Sequence, residues 1–300
     1  MTVTTKPLDP ASPFFAGEIL GFDAKIDLDP AAIEAFEQAM DRYAVCVLRR
    51  QFLGDAEQIR FSEHLGELSY ALNPGRAKGQ SARLRRELYD ISNLDEGDGI
   101  LGDDDRRRIL REGDRLWHTD RSFVAADTTY SLLSAREVPP QGGDTHFADM
   151  RAAYDALPPS VKTRIDKLKC EHSIWYSRCL AGAKMENFRP DEIAAMPGAV
   201  QPLVRIHPRT GRKSLVVASH ASHIIGMPLE EGRALLKELM GFATQPQFVY
   251  VHRWSVGEMV IWDNRCTMHR GTPFDDKRYR RDMRRTTVQN PQRATVAALP

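Results

Sequence analysis

The 300-residue chain is predicted to be a mainly β protein with α-helical insertions, built on a β-sandwich or jelly-roll core. Several short apolar stretches, rich in β-branched residues, are separated by turn residues, which is typical of antiparallel β architectures. Helical periodicity is confined to the start of the chain and to segments between these strands. No GxGxxG or GxxxxGKS/T fingerprint occurs, so nothing indicates a nucleotide-binding parallel sheet.

The first elements alternate between helix and strand. Asp29 and Pro30 form an N-cap and first-turn pair, and the apolar spacing that follows predicts a helix over about 30–43. The stretch "AVCVLR" predicts a buried strand, and residues 55–65 predict a second capped helix. Residues 72–115 have no usable periodicity, so we predict a long loop there. Either a solvated insertion or a lid over a site fits such a loop, and the lid is our working prediction.

The rest of the chain returns to short strands. "TTYSLLSA" predicts a strand, "DMRAAYDALPPSVKTRIDKLK" two short helices, and "RTGR" the turn of a hairpin. "PLEEGRALLKELMGFAT" predicts an amphipathic helix, and "FVYVHRW", "EMVIWDN" and "TTVQN" predict the final strands. We find no internal repeat and predict a single catalytic domain over residues 1–300.

Charge and cysteine content narrow the classes of partner. The chain has 42 Lys and Arg against 41 Asp and Glu, so its net charge gives no support to nucleic-acid or membrane-surface binding. A small molecule or another subunit is the expected partner, and we expect a homo-oligomer. The four cysteines form no CxxC pair, and no apolar run resembles a signal peptide or a membrane span. We therefore predict a cytoplasmic protein.

The stretch "LWHTDRSF" contains a candidate metal site. In an extended strand, His118 and Asp120 project to the same face, so both could contact one metal ion. An HxD triplet often arises by chance, however, and a His–Asp hydrogen bond can be purely structural. The candidate third ligand is His269 in "WDNRCTMHRGTPFD", because there an apolar strand gives way to a polar turn. Two histidines and one carboxylate leave half of an octahedral metal open, which suits non-haem Fe(II).

An arginine-rich segment follows the candidate third ligand. In "KRYRRDMRRTT", Arg281 and Arg285 would share one face of a strand, and Arg280 and Arg284 the other. The arginine fork suits carboxylates, so one inward pair near a metal indicates a dianionic cosubstrate and an acidic substrate. A solvated basic surface is the alternative interpretation.

These motifs together resemble a known family. "WHTD", "GGDT", "WDNRCTMHRGTPFD" and "RRDMRRTT" are similar, in this order, to the taurine dioxygenase family of Fe(II)- and 2-oxoglutarate-dependent oxygenases. "FADMRAAYDALP", "HASHIIGMPLEEGRALL" and "HRWSVGEMVIWDNRCTMHRG" resemble its 2,4-dichlorophenoxyacetate dioxygenase branch. The resemblance implies a double-stranded β-helix, a cupin-like jelly roll, that uses Fe(II), 2-oxoglutarate and O2. It also implies that His118, Asp120 and His269 bind the metal.

The resemblance also assigns roles around the metal. Thr145 and Arg281 match the pair that binds the far carboxylate of 2-oxoglutarate, and Arg285 matches an arginine near the substrate's acidic group and the cosubstrate. Slippage by one residue onto Arg280 or Arg284 stays open, because relatives vary in length before this segment. Trp262 is expected to pack beside the iron. Aromatic residues are more often core residues than pocket residues, and the candidates for the substrate pocket are Trp117, Phe123, Trp175 and Tyr176.

The implied reaction is hydroxylation of an aryloxyacetate, which gives a phenol and glyoxylate together with succinate and CO2. The same chemistry on an aryl acetate, a sulfonate or an alkyl sulfate is the nearest alternative. Two other classes also stay open: a zinc hydrolase with the same three ligands, and a barrel that binds an acidic ligand without catalysis.

Overall fold

The computed structural model describes residues 3–71 and 82–290. The first part of the predicted loop, residues 72–81, lies outside the described residues. The helices of the described chain are α1 (Pro30–Tyr43), α2 (Asp55–His64), α3 (Arg106–Arg111), α4 (Met150–Ala156), α5 (Pro159–Ile165), α6 (Ile174–Leu180), α7 (Pro190–Ala195) and α8 (Leu229–Ala243). None of them is long and apolar enough to cross a membrane.

The strands of the described chain are short, apart from two. They are β1 (Thr4–Pro7), β2 (Gly17–Leu20), β3 (Val45–Leu48), β4 (Glu67–Leu68), β5 (Tyr89–Asp90), β6 (Asp127–Glu137), β7 (Thr145–Asp149), β8 (Lys169–His172), β9 (Ala199–Pro202), β10 (Val204–Ile206), β11 (Lys213–Leu215), β12 (Ala221–Ile224), β13 (Val249–His252), β14 (Met259–Asp263), β15 (Thr267–Gly271) and β16 (Asp282–Asn290).

The strands form one large sheet and smaller ones. Across the described residues the large sheet has the order β1-β2-β3-β14-β6-β16-β4, with β5 also paired to β16. Only β2 and β3 are parallel among its described pairs. The smaller sheets are β13-β7-β15, β12-β8-β9 and β10-β11. The fold is therefore mixed: a mainly antiparallel sheet framework carries helices at the start and between strands.

The large sheet has two buried faces because its central strands alternate. Ile261 of β14 and Leu132 of β6 pack into a cluster with the helical residues Phe36 and Phe61. Strand neighbours of opposite parity, such as Val260 and Leu133, pack into another cluster that includes Phe147 of β7. One face of the sheet is therefore covered by α1 and α2, and the other faces the β13-β7-β15 sheet.

The first helix illustrates why the regular elements were predictable. The Asp29 carboxylate accepts a hydrogen bond from the Ala32 amide at 2.7 Å, Pro30 follows as the first helical residue, and Ala44 ends the helix in the left-handed region at φ 57°. Phe36 and Met40 of its apolar face are fully buried, and Ile33 is partly buried. The predicted helix over 30–43 matches α1 at both ends.

The segment before His118 differs from the sequence prediction. We predicted a long loop over 72–115, but its described part contains β5, α3 and a 3-10 turn over Glu112–Arg115. Long-range ion pairs position it: Arg83 bonds to Asp90 and to Asp282 of β16 at 2.9 and 2.8 Å. Such short elements have no periodicity of their own, because tertiary contacts hold them.

Candidate active site

The three predicted metal ligands converge beside β15. His269 is the central residue of β15, and His118 forms an isolated bridge with it, with backbone hydrogen bonds of 2.9 and 2.8 Å. Asp120 begins the turn that follows. His118 and Asp120 therefore do not lie in the regular strand that the sequence predicts. One potential ligand atom from each of the three residues nevertheless lies within 4.8 Å of the others.

The surrounding hydrogen bonds prepare these side chains for a metal ion. The Leu116 carbonyl accepts a bond from His118 Nδ1 at 2.8 Å, so the Nε2 atom of the neutral ring keeps its lone pair. His269 Nδ1 is buried and has no hydrogen-bond partner among the described residues. The other ring nitrogen, Nε2, lies 3.8 Å from Asp120 Oδ2, so it is the nitrogen available to a metal ion shared with that carboxylate. The ligand set and its geometry therefore fit a divalent metal such as Fe(II).

Asp120 is held by its neighbours in the charged form. Its carboxylate accepts bonds from the Ser131 hydroxyl at 2.7 Å and from the Arg285 guanidinium. Burial by itself raises the pKa of Asp120, but the charge of Arg285 and the Ser131 bond outweigh burial and hold the pKa well below its usual range. The Asn264 side chain accepts a bond from the Asp120 amide at 3.2 Å and fixes the turn. Asn264, in the "WDN" stretch, was not predicted as a site residue.

Burial has the opposite consequence for two histidines of this region, His269 and His220. The pKa of His269 lies well below its ordinary value, first because of burial and then because of the nearby His118. The pKa of His220 is likewise lowered by burial. Neutral rings are the form in which imidazole binds a metal, so the environment favours coordination over protonation.

Two adjoining cavities open at the candidate metal site. The Arg281 cavity, of about 130 Å3, is lined by Thr145, Trp262, His269 and Arg281 among others. The Phe123 cavity, of about 190 Å3, is lined by Leu110, Phe123, Ile174, Met196 and His220 among others. Both are also lined by Ile91, Arg111, Asp114, His118 and Arg285. Two small molecules could therefore lie side by side next to the three ligands.

The Arg281 side chain is buried without a carboxylate. Its Nη atoms donate to the backbone carbonyls of Ile91 and Gly143 at 3.1 and 3.4 Å, and its Nε atom has no partner among the described residues. Burial, followed by the nearby charge of Arg111, lowers the pKa of Arg281 to about 10. A buried cation with neutral partners is costly unless a ligand supplies the anion. This cavity therefore suits a carboxylate.

Thr145 lies in the same cavity as Arg281. It is the first residue of β7, directly after the "GGD" turn, and it is buried. Trp254 Nε1 donates to the Thr145 hydroxyl oxygen at 3.0 Å. Because an indole N–H can only donate, the hydroxyl keeps its own proton for a ligand. Thr145 and Arg281 thus offer hydrogen-bond donors to one acidic group.

The register of the arginine segment is visible in the structure. Arg281 and Arg285 line the cavities, whereas Arg280 pairs with Glu137 and Arg284 pairs with Asp55 and Asp282. The alternation expected for a strand holds here, with Arg285 inside β16 and Arg281 directly before it. Arg280 and Arg284 do not lie at the cavities, so the structure does not support an assignment shifted by one residue.

The predicted aromatic residues divide into two groups. Phe123 lines its cavity against His220, with ring centroids 5.0 Å apart, and the Trp262 ring lies 4.6 Å from the His269 ring. Trp117 lines neither cavity and packs under Arg270. Trp175 and Tyr176 also lie outside both linings; Trp175 packs on Phe188, and Tyr176 lies under Arg233.

A buried polar chain supports the Phe123 cavity and was not predicted. Ser122 Oγ lies 3.0 Å from His220 Nδ1 and 2.9 Å from His172 Nδ1, and His172 Nε2 lies 3.1 Å from Cys170 Sγ. One hydroxyl between two imidazoles can donate to only one of them, so the other ring must donate to it. The chain fixes the orientation of His220 at the cavity wall. Its members are scattered along the sequence and carry no local signal.

A metal site with two histidines and one carboxylate, next to an unpaired buried arginine, defines the class of non-haem iron enzymes that bind an acidic cosubstrate. The comparisons with known proteins identify the family. The chain belongs to the family described as taurine catabolism dioxygenase TauD, TfdA family, whose model matches residues 4–287.

Characterised relatives extend over nearly the whole chain. The alpha-ketoglutarate-dependent 2,4-dichlorophenoxyacetate dioxygenase of Cupriavidus pinatubonensis is 42% identical over 96% of this chain and 98% of its own length. An (S)-phenoxypropionate/alpha-ketoglutarate-dioxygenase of Sphingobium herbicidovorans is 37% identical over 83% of each chain. The crystal structure of AAD-2 with Mn(II) and N-oxalylglycine superposes with a TM-score of 0.91 and 42% identity, over 97% of this chain and 98% of that one.

Proposed function

We propose that this protein is an Fe(II)- and 2-oxoglutarate-dependent dioxygenase that hydroxylates a carboxylated aromatic substrate, with an aryloxyacetate such as 2,4-dichlorophenoxyacetate as the leading candidate. Hydroxylation beside the ether oxygen yields a hemiacetal that separates into a phenol and glyoxylate. The observation that carries the proposal is Arg281, a buried guanidinium without a carboxylate partner that shares a cavity with Thr145 and the metal ligand His269. A zinc hydrolase would have no use for such an arginine.

The residues of the chain divide the work between them. His118, Asp120 and His269 would hold iron, which supplies the oxidising chemistry together with 2-oxoglutarate and O2. Arg281 and Thr145 bind the far carboxylate of the cosubstrate and thereby fix its distance from the metal ligands. Trp262, buried beside the His269 ring, keeps water away from this side of the site.

The Phe123 cavity is the proposed substrate site. Its walls include Leu110, Phe123 and Ile174, which suit an aromatic ring, and it adjoins Asp120 and His118. Arg285 borders both cavities, donates to Asp120, and has an Nε atom without a partner among the described residues. We assign to Arg285 a contact with the substrate carboxylate and with the metal-bound end of the cosubstrate. Trp117 is not retained in this assignment, because it lies outside the lining.

A succinate-release screen tests the proposed function. The protein is incubated with Fe(II), ascorbate and 2-oxoglutarate, and with one candidate at a time from aryloxyacetates, aryloxypropionates, aryl acetates, taurine and alkyl sulfates. We expect the largest stimulation of succinate release with an aryloxyacetate, accompanied by equimolar phenol. Stimulation by taurine or an alkyl sulfate alone would contradict the aromatic substrate and keep the reaction class.

We further propose that the described residues form one catalytic domain with a jelly-roll core, and that residues 82–115 act as the lid of its site. The packing of the large sheet against β13-β7-β15 supports the core, and the cavity contacts of Ile91, Arg111 and Asp114 support the lid. A homo-oligomer is also part of the proposal, and light scattering would test it. The free cysteines suit a reducing cytoplasm.

A further inference from the structure

Arg111, the last residue of α3, has an unusual environment at the junction of the two cavities. It lines both of them, and its buried Nη1 atom has no hydrogen-bond partner among the residues that the structure describes. Within the described parts of the chain, its side chain forms no ion pair either. Asp90 and Asp114 are the carboxylates whose charges interact most strongly with Arg111, and they are already bonded to Arg83 and Arg178. Burial is the main cause that lowers the pKa of the Arg111 guanidinium.

The other arginines of the Phe123 cavity have partners. Arg107 is bonded to Asp105 and Glu96, Arg178 to Asp114, and Arg285 to Asp120. Arg121 donates to the Tyr89 hydroxyl at 3.1 Å. Among the described residues that line this cavity, Arg111 is therefore the arginine left without any partner.

We propose that Arg111 binds the acidic group of the primary substrate and selects anionic over neutral substrates at this site. The proposal deepens the proposed function and rests on it. A buried guanidinium without a partner is stabilised by a ligand that carries a negative charge, whereas a neutral ester leaves it unpaired. Leu110, the preceding residue, lines the same cavity, so one turn of α3 supplies both an apolar contact and the charge.

The geometry favours the substrate over the cosubstrate as the partner of Arg111. The far carboxylate of 2-oxoglutarate already has Arg281 and Thr145, which line the Arg281 cavity and not the Phe123 cavity. Arg111 borders the Phe123 cavity as well, and so does Arg285, the arginine that is bonded to Asp120. Two arginines from separate elements, α3 and β16, would then contact one substrate acid.

The test compares Arg111→Met with the wild type, using 2,4-dichlorophenoxyacetate and its methyl ester as probes. Affinity for 2-oxoglutarate is measured by calorimetry with Mn(II) in place of Fe(II), and affinity for each probe by thermal shift and by KM. We expect Arg111→Met to bind the acid roughly tenfold to a hundredfold more weakly, while ester binding and 2-oxoglutarate affinity stay within about threefold. Arg111→Lys should keep part of the preference for the acid.

The matched control is Arg106→Gln, which removes a charge from the same helix. Arg106 pairs with Glu192 and lines neither cavity, so its loss should leave the acid-to-ester ratio unchanged. The ligand-free Arg111→Met protein should melt no lower than the wild type, because the buried unpaired charge is gone. This readout separates a binding defect from a folding defect.

Two results would overturn the inference. One is an unchanged acid-to-ester ratio in Arg111→Met, and the other is a loss of 2-oxoglutarate affinity with that ratio preserved, which would assign Arg111 to the cosubstrate. The wild type tests the proposed function separately. If the wild type responds only to a sulfonate or an alkyl sulfate, the aromatic assignment fails. Arg111→Met must then weaken the binding of that anion for the inference to stand.

Discussion

Each charged side chain at the site is defined by the partner it has or lacks. Asp120 has two donors and stays ionised, so it can serve as an anionic metal ligand. Arg281 and Arg111 each border a cavity and have no acidic partner within residues 3–71 and 82–290. Because an unpaired buried cation destabilises the ligand-free protein, these positions are explained by ligands rather than by folding.

Removal of Arg281 should strongly weaken the binding of the cosubstrate. In Arg281→Ala the buried C5 carboxylate of 2-oxoglutarate loses its charged partner, a loss of roughly 3 to 5 kcal/mol or about a hundredfold or more in Kd. Calorimetry with Mn(II) measures the change. The controls are Arg280→Ala and Arg284→Ala, whose side chains pair with Glu137 and with Asp55 and Asp282 away from the cavities. Wild-type affinity in Arg281→Ala would contradict the assignment.

Metal binding should depend on His269. The His269→Ala variant keeps His118 and Asp120 but loses the ligand that β15 supplies, and two remaining ligands hold a metal poorly. We expect Fe(II) bound per chain, measured after gel filtration under argon, to fall from about one to well below one half. His223→Ala, at a partly exposed histidine of β12, serves as the control. A full iron content in His269→Ala would exclude this site.

The elements bring distant sequence positions together through their ends. β7 begins at Thr145, and its register places Thr145 opposite both His252 of β13 and Gly271 of β15. The turn before it contains Gly142 and Gly143, at φ 72° and 70°. A Cβ at Gly143 would lie 3.4 Å from Arg281 Nε, so this turn packs directly against the cosubstrate arginine.

A side chain at Gly142 should lower the stability of the folded protein. Its Cβ would lie 2.4 Å from the Pro273 carbonyl oxygen, in addition to the strain of a positive φ. Gly211 has a similar φ of 68° but nothing within 4 Å, which makes it the matched control. We expect Gly211→Ala to lose about 1 to 2 kcal/mol of unfolding free energy and Gly142→Ala roughly 3 kcal/mol or more. Urea unfolding measures the loss of unfolding free energy in both variants. Equal losses in Gly142→Ala and Gly211→Ala would contradict the steric argument.

The elements also show where sequence reasoning holds and where it fails. The helix over 30–43 was predictable because its cap, proline and apolar spacing are local. Residues 82–115 were not, because their elements depend on ion pairs such as Arg83 with Asp282, which no local pattern shows. Arg111 was therefore missed within a charge-rich stretch. The prediction that Trp117 lines the pocket conflicted with the alternation that pairs His118 with Asp120. Trp117 precedes His118 by one residue and faces the other way.

For the molecule as a whole, sequence similarity supplied what local patterns could not. The same-face argument placed His118 next to Asp120, although the two residues lie at an isolated bridge and in a turn and not in a regular strand. The choice of His269 among the remaining histidines gained its force from family motifs. The structure adds the partners of each group: Asn264 behind Asp120, Trp254 behind Thr145, and the polar chain behind His220. These contacts join residues far apart in sequence, so they follow from the fold and not from spacing.

Buried neutral histidines give the whole molecule a specific sensitivity to acid. Burial lowers the pKa of His172 from 6.5 to about 3, and it also lowers the pKa values of His220 and His269. Below pH 6.5 the unfolded chain therefore binds protons at these positions that the folded chain does not bind. The stability that neutral rings contribute is fully present above pH 6.5 and is lost as the pH falls toward 3.

We accordingly expect the metal-free protein to lose about 1 kcal/mol of unfolding free energy per buried histidine between pH 7 and pH 5.5. Carboxylates with lowered pKa values, such as Asp120 and Asp263, contribute little in this window, because they and their unfolded counterparts are ionised there. Urea unfolding in EDTA at both pH values measures the loss. The His172→Gln variant should lose less than the wild type, while His223→Gln should match it. A wild type equally stable at both pH values would show that the buried histidines gain protons in the folded state, and so that the cavity wall around them opens to water.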